Sequence, residues 1–140
     1  MKSRTKARGI ALQVLYEYDL SKHPIGEVIE NRLLENDLEK SLQEFVRQIV
    51  LGVFPKIEKL DNVIGTYAPD WPLDQVASVD RNIIRIALWE FAIGKITPVK
   101  VAINEAVELA KIYGSDSTPR FINGVLGSLV ENINEIQYSL

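Results

Sequence analysis

Apolar residues recur at intervals of three and four along most of this chain, and no stretch keeps the alternation that is typical of a half-buried strand. The first such segment runs from about Thr5 to Leu20. It predicts a helix with one apolar face, formed by Ala7, Ile10, Ala11, Val14, Leu15 and Tyr18. A second, short helix is predicted after Pro24. The pattern therefore predicts an all-α protein.

Prolines divide the middle of the chain. An apolar pattern begins at Ser41, in a sequence of capping-box form, and continues to Ile64 with Pro55 inside it. Because proline has no backbone N–H, we expect a kink or a break into two helices just before Pro55. The segment 68–73 contains two further prolines and predicts a loop, with Trp71 as the side chain that holds it against the core.

The segment from Val79 to Ile93 is apolar in nearly every direction around a helix, which is typical of a helix at the centre of a bundle. Gly94 follows it and is expected to adopt the left-handed conformation that ends many helices. Two more helices are predicted to begin at Pro98 and Pro119, each capped by the threonine that precedes the proline. Residues 1–140 are therefore predicted to form one helical bundle of about six to seven helices.

Composition and motifs exclude several kinds of active site. The 140 residues contain no cysteine and one histidine, which excludes a thiolate zinc site and a catalytic cysteine. Phosphate-binding loops, dinucleotide-binding glycine motifs and paired-histidine zinc motifs are absent from the sequence. We therefore expect no enzymatic activity, no metal and no cofactor. The sequence has no apolar signal core and no membrane-length apolar run, which predicts a cytoplasmic protein without a membrane partner.

Positive charge is concentrated at the N-terminus, although the net charge of the chain is −3. Four of the 16 basic residues lie in the first eight positions, and the first acidic residue is Glu17. Clustered cations at a helix start suggest a phosphate-bearing partner, while a solvated helix start would explain the same charges. This group, called the basic arm below, consists of Lys2, Arg4, Lys6 and Arg8.

Two aromatic positions suggest contacts with bases. Tyr16 is expected to point away from the apolar face of the first helix, where its ring could stack on an unpaired base or cover a neighbouring helix. Arg120 and Phe121 place a cation beside a ring at the start of the last helix, a combination used to bind single-stranded RNA. A phenylalanine considered alone would more often lie in the core.

Polar residues inside apolar segments need partners or a surface. Asp80, Arg81 and Glu90 lie on the central helix and must pair internally or face a partner, because unpaired burial is costly. Asn104 and Asn123 are expected to be structural residues whose amides bond the carbonyls of loops or helix ends. Gly124 is expected to permit close packing of helices.

The order of several motifs gives a specific resemblance. The chain resembles the NusB family of bacterial transcription antitermination factors nearly from end to end. The matching segments are Lys6-Ala7-Arg8, Ala11 through Tyr16, Trp71, Val79 through Glu90, Ile103-Asn104-Glu105-Ala106 and Phe121-Ile122-Asn123-Gly124-Val125-Leu126.

The resemblance implies a function as well as a fold. It implies binding to the boxA element of nascent RNA, together with the ribosomal protein NusE, on an RNA polymerase elongation complex that carries other Nus factors. The expected result is processive transcription, chiefly of ribosomal RNA. The resemblance further implies that the basic arm, Tyr113, Arg120 and Phe121 face RNA, and that the region of Asp80, Arg81 and Glu90 contributes to NusE docking.

Two alternatives stay open on the sequence. One is a helical protein-interaction module that does not bind a specific RNA. The other is a stand-alone relative of the non-catalytic N-terminal domain of some ribosomal RNA cytosine methyltransferases. Because the sequence ends at Leu140, we expect no methyltransferase domain.

Overall fold

The computed structural model describes residues 2–140, which form helices and connecting turns without a strand. A π-helical turn, Trp89–Ile93, directly continues the fifth helix, and short 3-10 turns lie at Phe54–Lys56 and Leu73–Gln75. The all-α prediction is confirmed. The helices are α1 (Ser3–Ser21), α2 (Ile25–Leu34), α3 (Lys40–Val53), α4 (Ile57–Tyr67), α5 (Ser78–Leu88), α6 (Val99–Tyr113), α7 (Thr118–Glu131) and α8 (Ile133–Ser139).

Helix α5 and its π-helical turn form the centre of the bundle, as the all-round apolar pattern predicts. Every residue from Asn82 to Ala92 is buried. Helices α1, α6 and α7 pack against α5, and α3 packs against α1. No helix within residues 2–140 is long and apolar enough to cross a membrane.

The proline in the middle of the chain separates two helices, which confirms that prediction. Helix α3 ends at Val53, and Pro55 lies in the 3-10 turn that precedes α4. The predicted capping box at Ser41 is wrong. Helix α3 begins one residue earlier, at Lys40, and no side chain caps its first turn.

The two threonines that precede prolines do not cap helices, which corrects the prediction for both. The hydroxyl of Thr97 donates to Glu90 Oε1 at 2.7 Å, and the hydroxyl of Thr118 donates to Asp80 Oδ1 at 3.2 Å. Both acceptors belong to the central segment, at its opposite ends. These hydroxyls therefore fasten the starts of α6 and α7 to the central segment.

Gly94 does not end its helix in the left-handed conformation. Its φ is −68°, and the following residue, Lys95, has the positive φ of 50°. The ring of Trp89 lies against both Gly94 and Gly52 of α3, and a Cβ atom at either glycine would overlap it. Close approach of the tryptophan ring, rather than a left-handed turn, explains the glycine at position 94.

A buried ion pair joins α1 to the π-helical turn. Arg8 is 3% exposed and Glu90 is 1% exposed. Nε and Nη2 of Arg8 donate to the Glu90 carboxylate over 2.8 to 3.1 Å, and the guanidinium lies 5.1 Å from the Phe45 ring centre. The predictions that Arg8 faces RNA and that Glu90 faces a partner are therefore wrong, because the two side chains neutralise each other inside the bundle.

Breaking this pair should destabilise the fold strongly. We expect Arg8→Ala to lower the free energy of unfolding by about 3–5 kcal/mol, because it leaves the Glu90 carboxylate buried without its cation. Urea unfolding measures the loss. Glu30→Ala removes an exposed partner of Arg47 and is the control, with an expected cost of about 0–1 kcal/mol. Similar costs for the two variants would contradict a structural role for Arg8.

Candidate nucleic-acid and partner interfaces

Three of the four cations of the basic arm remain at the surface. Lys2, Arg4 and Lys6 are exposed, and the first turn of α1 has no acidic residue. The Arg4 guanidinium lies 4.5 Å from the centre of the Phe45 ring, which holds it beside α3. The N-terminal turn of α1 therefore offers positive charge to solvent.

A groove of about 740 Å³ lies where the start of α1 meets α6 and α7. Lys2 and Lys111 line it, as do Asn104 of α6 and Asn123 of α7. Both asparagines are exposed, and neither amide makes a hydrogen bond with another residue of the described range. The predicted structural role of Asn104 and Asn123 is therefore wrong. We call this feature the amide groove.

Two tyrosines lie along the side of α1 that faces α6. The Tyr113 ring packs on Gly9, where a Cβ atom would overlap it, and burial raises the pKa of the Tyr113 hydroxyl. Tyr16 lies two helical turns beyond Gly9 on the same side of α1, because residues seven apart project in similar directions. The Tyr16 side chain is 37% exposed. Tyr113 therefore packs α6 against α1, while Tyr16 keeps part of its ring at the surface.

The start of α7 combines a free cation with a packed ring. Arg120 is exposed, whereas Phe121 is half-buried and meets Trp71 edge-on, with ring centres 6.3 Å apart. The Trp71 ring also lies over Gly124, 3.6 Å from the position of a Cβ atom there. Trp71 thus holds its loop against α7, as predicted. A Cβ atom at Gly124 would make ordinary contact with that ring and with no other helix among the residues described, so the prediction that Gly124 permits close helix packing is wrong.

Asp80 connects α5 to the start of α7 and is half-buried. Its carboxylate accepts from the Thr118 hydroxyl, which in turn accepts from the Ser115 N–H at 2.9 Å. Burial raises the pKa of Asp80, and the hydrogen bond from Thr118 only partly opposes that rise. Asp80 therefore has a structural role, and half of its environment remains open to a partner.

Arg81 lies at the edge of a second polar cluster. Its Nη1 donates to the Leu73 carbonyl at 3.3 Å, and its Nη2 lies 3.6 Å from the Asp19 carboxylate. Asp19 accepts from Ser78 at 2.7 Å and from Asn82 at 2.8 Å. Burial alone would raise the pKa of Asp19, but these hydrogen bonds and the nearby arginines outweigh it and lower the pKa.

Charged residues at core positions of two helices are the sequence feature that indicates these internal clusters. Arg8 and Asp19 are eleven residues apart, so they lie on the same side of α1 beside its apolar face. Arg85 and Glu90 are opposite charges in the segment that is apolar in nearly every direction around the helix. Such charges at core positions indicate that α1 and α5 pair antiparallel through two polar clusters. Arg85 also binds Asp61 of α4 with two hydrogen bonds, at 2.7 and 2.8 Å.

The fold and its surfaces define a class of protein. Most charges near the core are paired inside the bundle, and residues 2–140 contain no cluster of His, Cys, Asp or Glu suited to a metal ion. The polar features of the candidate interfaces are cations, amides, partly covered rings and the half-buried carboxylate of Asp80. This arrangement is that of an all-helical binding protein.

The family follows from the sequence comparison. The NusB family model matches residues 5–131, and the chain belongs to the NusB family. Transcription antitermination protein NusB of Roseiflexus castenholzii is 47% identical over 134 residues, which cover 94% of each chain. The corresponding protein of Dehalococcoides mccartyi strain CBDB1 is 46% identical over 127 residues, or 91% of this chain and 89% of its own. The family consists of transcription antitermination factors, which are not enzymes, so the predicted family and the absence of enzymatic activity are confirmed.

Solved structures agree with this assignment. NusB from T. maritima superposes with a TM-score of 0.84 at 27% identity and covers 98% of this chain and 97% of its own. A crystal structure of antitermination factors NusB and NusE in complex with dsRNA superposes with a TM-score of 0.82 at 27% identity. That match covers 100% of this chain and 99% of the other.

The Asp19 cluster should make stability depend on pH in a defined direction. Because folding lowers the pKa of Asp19 below 3.8, its contribution to stability is present above that pH and is lost as the pH falls through the folded value. Asp19→Asn should therefore cost most at neutral pH and progressively less below pH 3.8. Urea unfolding over a pH series, with the exposed Asp70→Asn as control, measures this. A cost that grows on acidification would contradict it.

Proposed function

We propose that this protein is an antitermination factor that binds boxA-containing nascent RNA together with the ribosomal protein NusE. In this proposal it acts in the cytoplasm on an RNA polymerase elongation complex that carries other Nus factors, and it promotes processive transcription of ribosomal RNA. The observation that carries the proposal is the likeness, over the whole chain, to a NusB structure in complex with NusE and dsRNA. The exposed cations at the start of α1 support the same function.

In the proposed complex, the surface part of the basic arm binds phosphates. Lys2, Arg4 and Lys6 neutralise the RNA backbone, and release of its counterions contributes to affinity. Arg8 does not touch RNA, because its guanidinium is held by Glu90. Its contribution is to fix the helix from which Arg4 and Lys6 project and which Lys2 directly precedes.

The base contacts of the proposed complex come from partly exposed rings. Tyr16 offers a ring on the α6 side of α1, and stacking of a base on an aromatic ring is worth about 1–3 kcal/mol. Arg120 provides an exposed cation at the start of α7, beside the half-covered ring of Phe121. Tyr113 contributes chiefly through its packing on Gly9, which fixes the end of α6 beside α1.

The proposed NusE surface lies at the start of α5. Asp80 presents a half-open carboxylate there, and Arg81 presents a half-exposed guanidinium that makes one hydrogen bond, to the Leu73 carbonyl. Charged groups at the rim of an interface mainly affect the rate and specificity of association. Glu90 is buried and paired with Arg8, so it cannot contact a partner. Of the three charged residues predicted for this surface, Asp80 and Arg81 remain.

Titration with RNA at several salt concentrations tests the proposal. Wild-type protein should bind boxA RNA more tightly than a scrambled RNA, as measured by fluorescence anisotropy. Lys2→Ala/Lys6→Ala should weaken binding and reduce the slope of log affinity against log salt by about 0.7 for each lost phosphate contact. Lys56→Ala/Lys59→Ala removes two lysines outside the arm and is the matched control.

Two outcomes of this titration would contradict the proposal. Equal affinity for boxA and scrambled RNA would support a protein-interaction module instead. Equal slopes for the arm variant and the Lys56→Ala/Lys59→Ala control would show that the arm is not the phosphate-binding element.

A further inference from the structure

Asn104 and Asn123 line one groove, and the amides of both have unused hydrogen-bonding capacity. A carboxamide carries two N–H donors and an acceptor oxygen. The amides of Asn36, Asn82 and Asn132 donate to backbone carbonyls one turn earlier in the chain. The amides of the other five asparagines, Asn31, Asn62, Asn104, Asn123 and Asn134, bond no residue in the described part of the chain, and all five are exposed. Asn104 and Asn123 differ from the other three in their position, because both line one groove together with Lys2.

Both amides face the same space. Asn104 projects from α6 and Asn123 from α7, and they line the amide groove together. Lys2 lines the same groove, so the groove is continuous with the basic arm. A phosphate bound by Lys2 would therefore lie at the same groove as the two amides.

The acidic residues of the groove are already paired. Glu105 accepts from the Thr5 hydroxyl at 2.8 Å and lies 3.8 Å from the Arg8 guanidinium. Glu108 lies 3.4 Å from Lys111 on the same helix. Neighbouring cations thus offset these carboxylates, and what the groove offers to a ligand is two neutral amides with a lysine at its entrance.

We infer that the amide groove is a subsite for the base edges of single-stranded RNA, with Asn104 and Asn123 as its base-contacting residues. This inference rests on the proposed function, because it places bases next to phosphates held by the arm. A carboxamide can donate to and accept from one base at the same time, as asparagine does with adenine. Unpaired bases expose the hydrogen-bonding edges that such contacts require.

The lining of the groove favours RNA over a protein segment. Protein partners usually anchor an aromatic or aliphatic side chain in an apolar pocket. Seven of the nine residues that line this groove are polar or charged, and the two apolar ones are Ile112, which is exposed, and Val107, which is half-buried. Neutral amides beside a lysine match a base attached to a phosphate better than they match an apolar anchor.

A panel of RNAs tests the subsite. The variants are Asn104→Ala, Asn123→Ala and the double variant, with Asn62→Ala on α4 as an exposed-asparagine control. The probes are boxA RNA and a set of RNAs that each change one base of it. We expect the double variant to lose at least about fivefold in affinity for boxA RNA and to lose discrimination at one or two base positions. The salt slope should stay unchanged, because no charge is removed.

Each other result would overturn the inference. Affinity and base preference equal to those of Asn62→Ala would show that the amides contact no base. An equal loss for every RNA in the panel would indicate a sequence-independent contact. Intact RNA binding with weakened NusE binding would make the groove a protein site. If wild-type protein does not distinguish boxA from scrambled RNA, the proposed function fails first and the subsite fails with it. Circular dichroism establishes that each variant is folded.

Discussion

The buried ion pair between Arg8 and Glu90 is the constraint on which the rest of the structure depends. It joins the first helix to the last turn of the central helix, in a region where an unpaired charge would be costly. Thr97 adds a hydrogen bond to the same carboxylate and brings in the start of α6. At the other end of α1, Asp19 binds Asn82 of α5. Two polar contacts eleven residues apart on α1 therefore fix how far it can slide along the centre of the bundle.

This fixed register explains how an acidic protein can present a cationic surface. Because Arg8 is held inside, Arg4 and Lys6 project from an anchored helix, and Lys2 directly precedes it at the N-cap position. The amide groove opens beside them, and the Tyr113 ring packs α6 against α1. The half-open carboxylate of Asp80 lies at the far end of the central helix from Glu90. One bundle can thus offer separate surfaces to two partners.

The sequence predicted the fold well, because helix positions follow from apolar periodicity, and the central helix and the break at Pro55 needed no other information. Contacts distant in the sequence were not predictable in this way. The position of Arg8 beside the apolar face of α1 shows that it can be buried, but the acid that pairs with it lies 82 residues away and is identified only by packing. Thr97 and Thr118 precede prolines, which is a sequence pattern of helix caps. Their hydroxyls instead donate to Glu90 and Asp80 of the central segment. Apolar periodicity therefore predicts the helices, whereas the hydrogen-bond partners of buried polar groups follow only from how the helices pack.

The central claim is that RNA and the ribosomal partner use different surfaces of one rigid bundle. Amide chemical-shift mapping of the isotope-labelled protein tests this most directly, first with boxA RNA and then with added NusE. The account predicts that RNA shifts residues 2–6 and the lining of the amide groove, and that NusE shifts the start of α5 around Asp80 and Arg81. RNA-induced shifts confined to the start of α5, or coinciding with those caused by NusE, would contradict it.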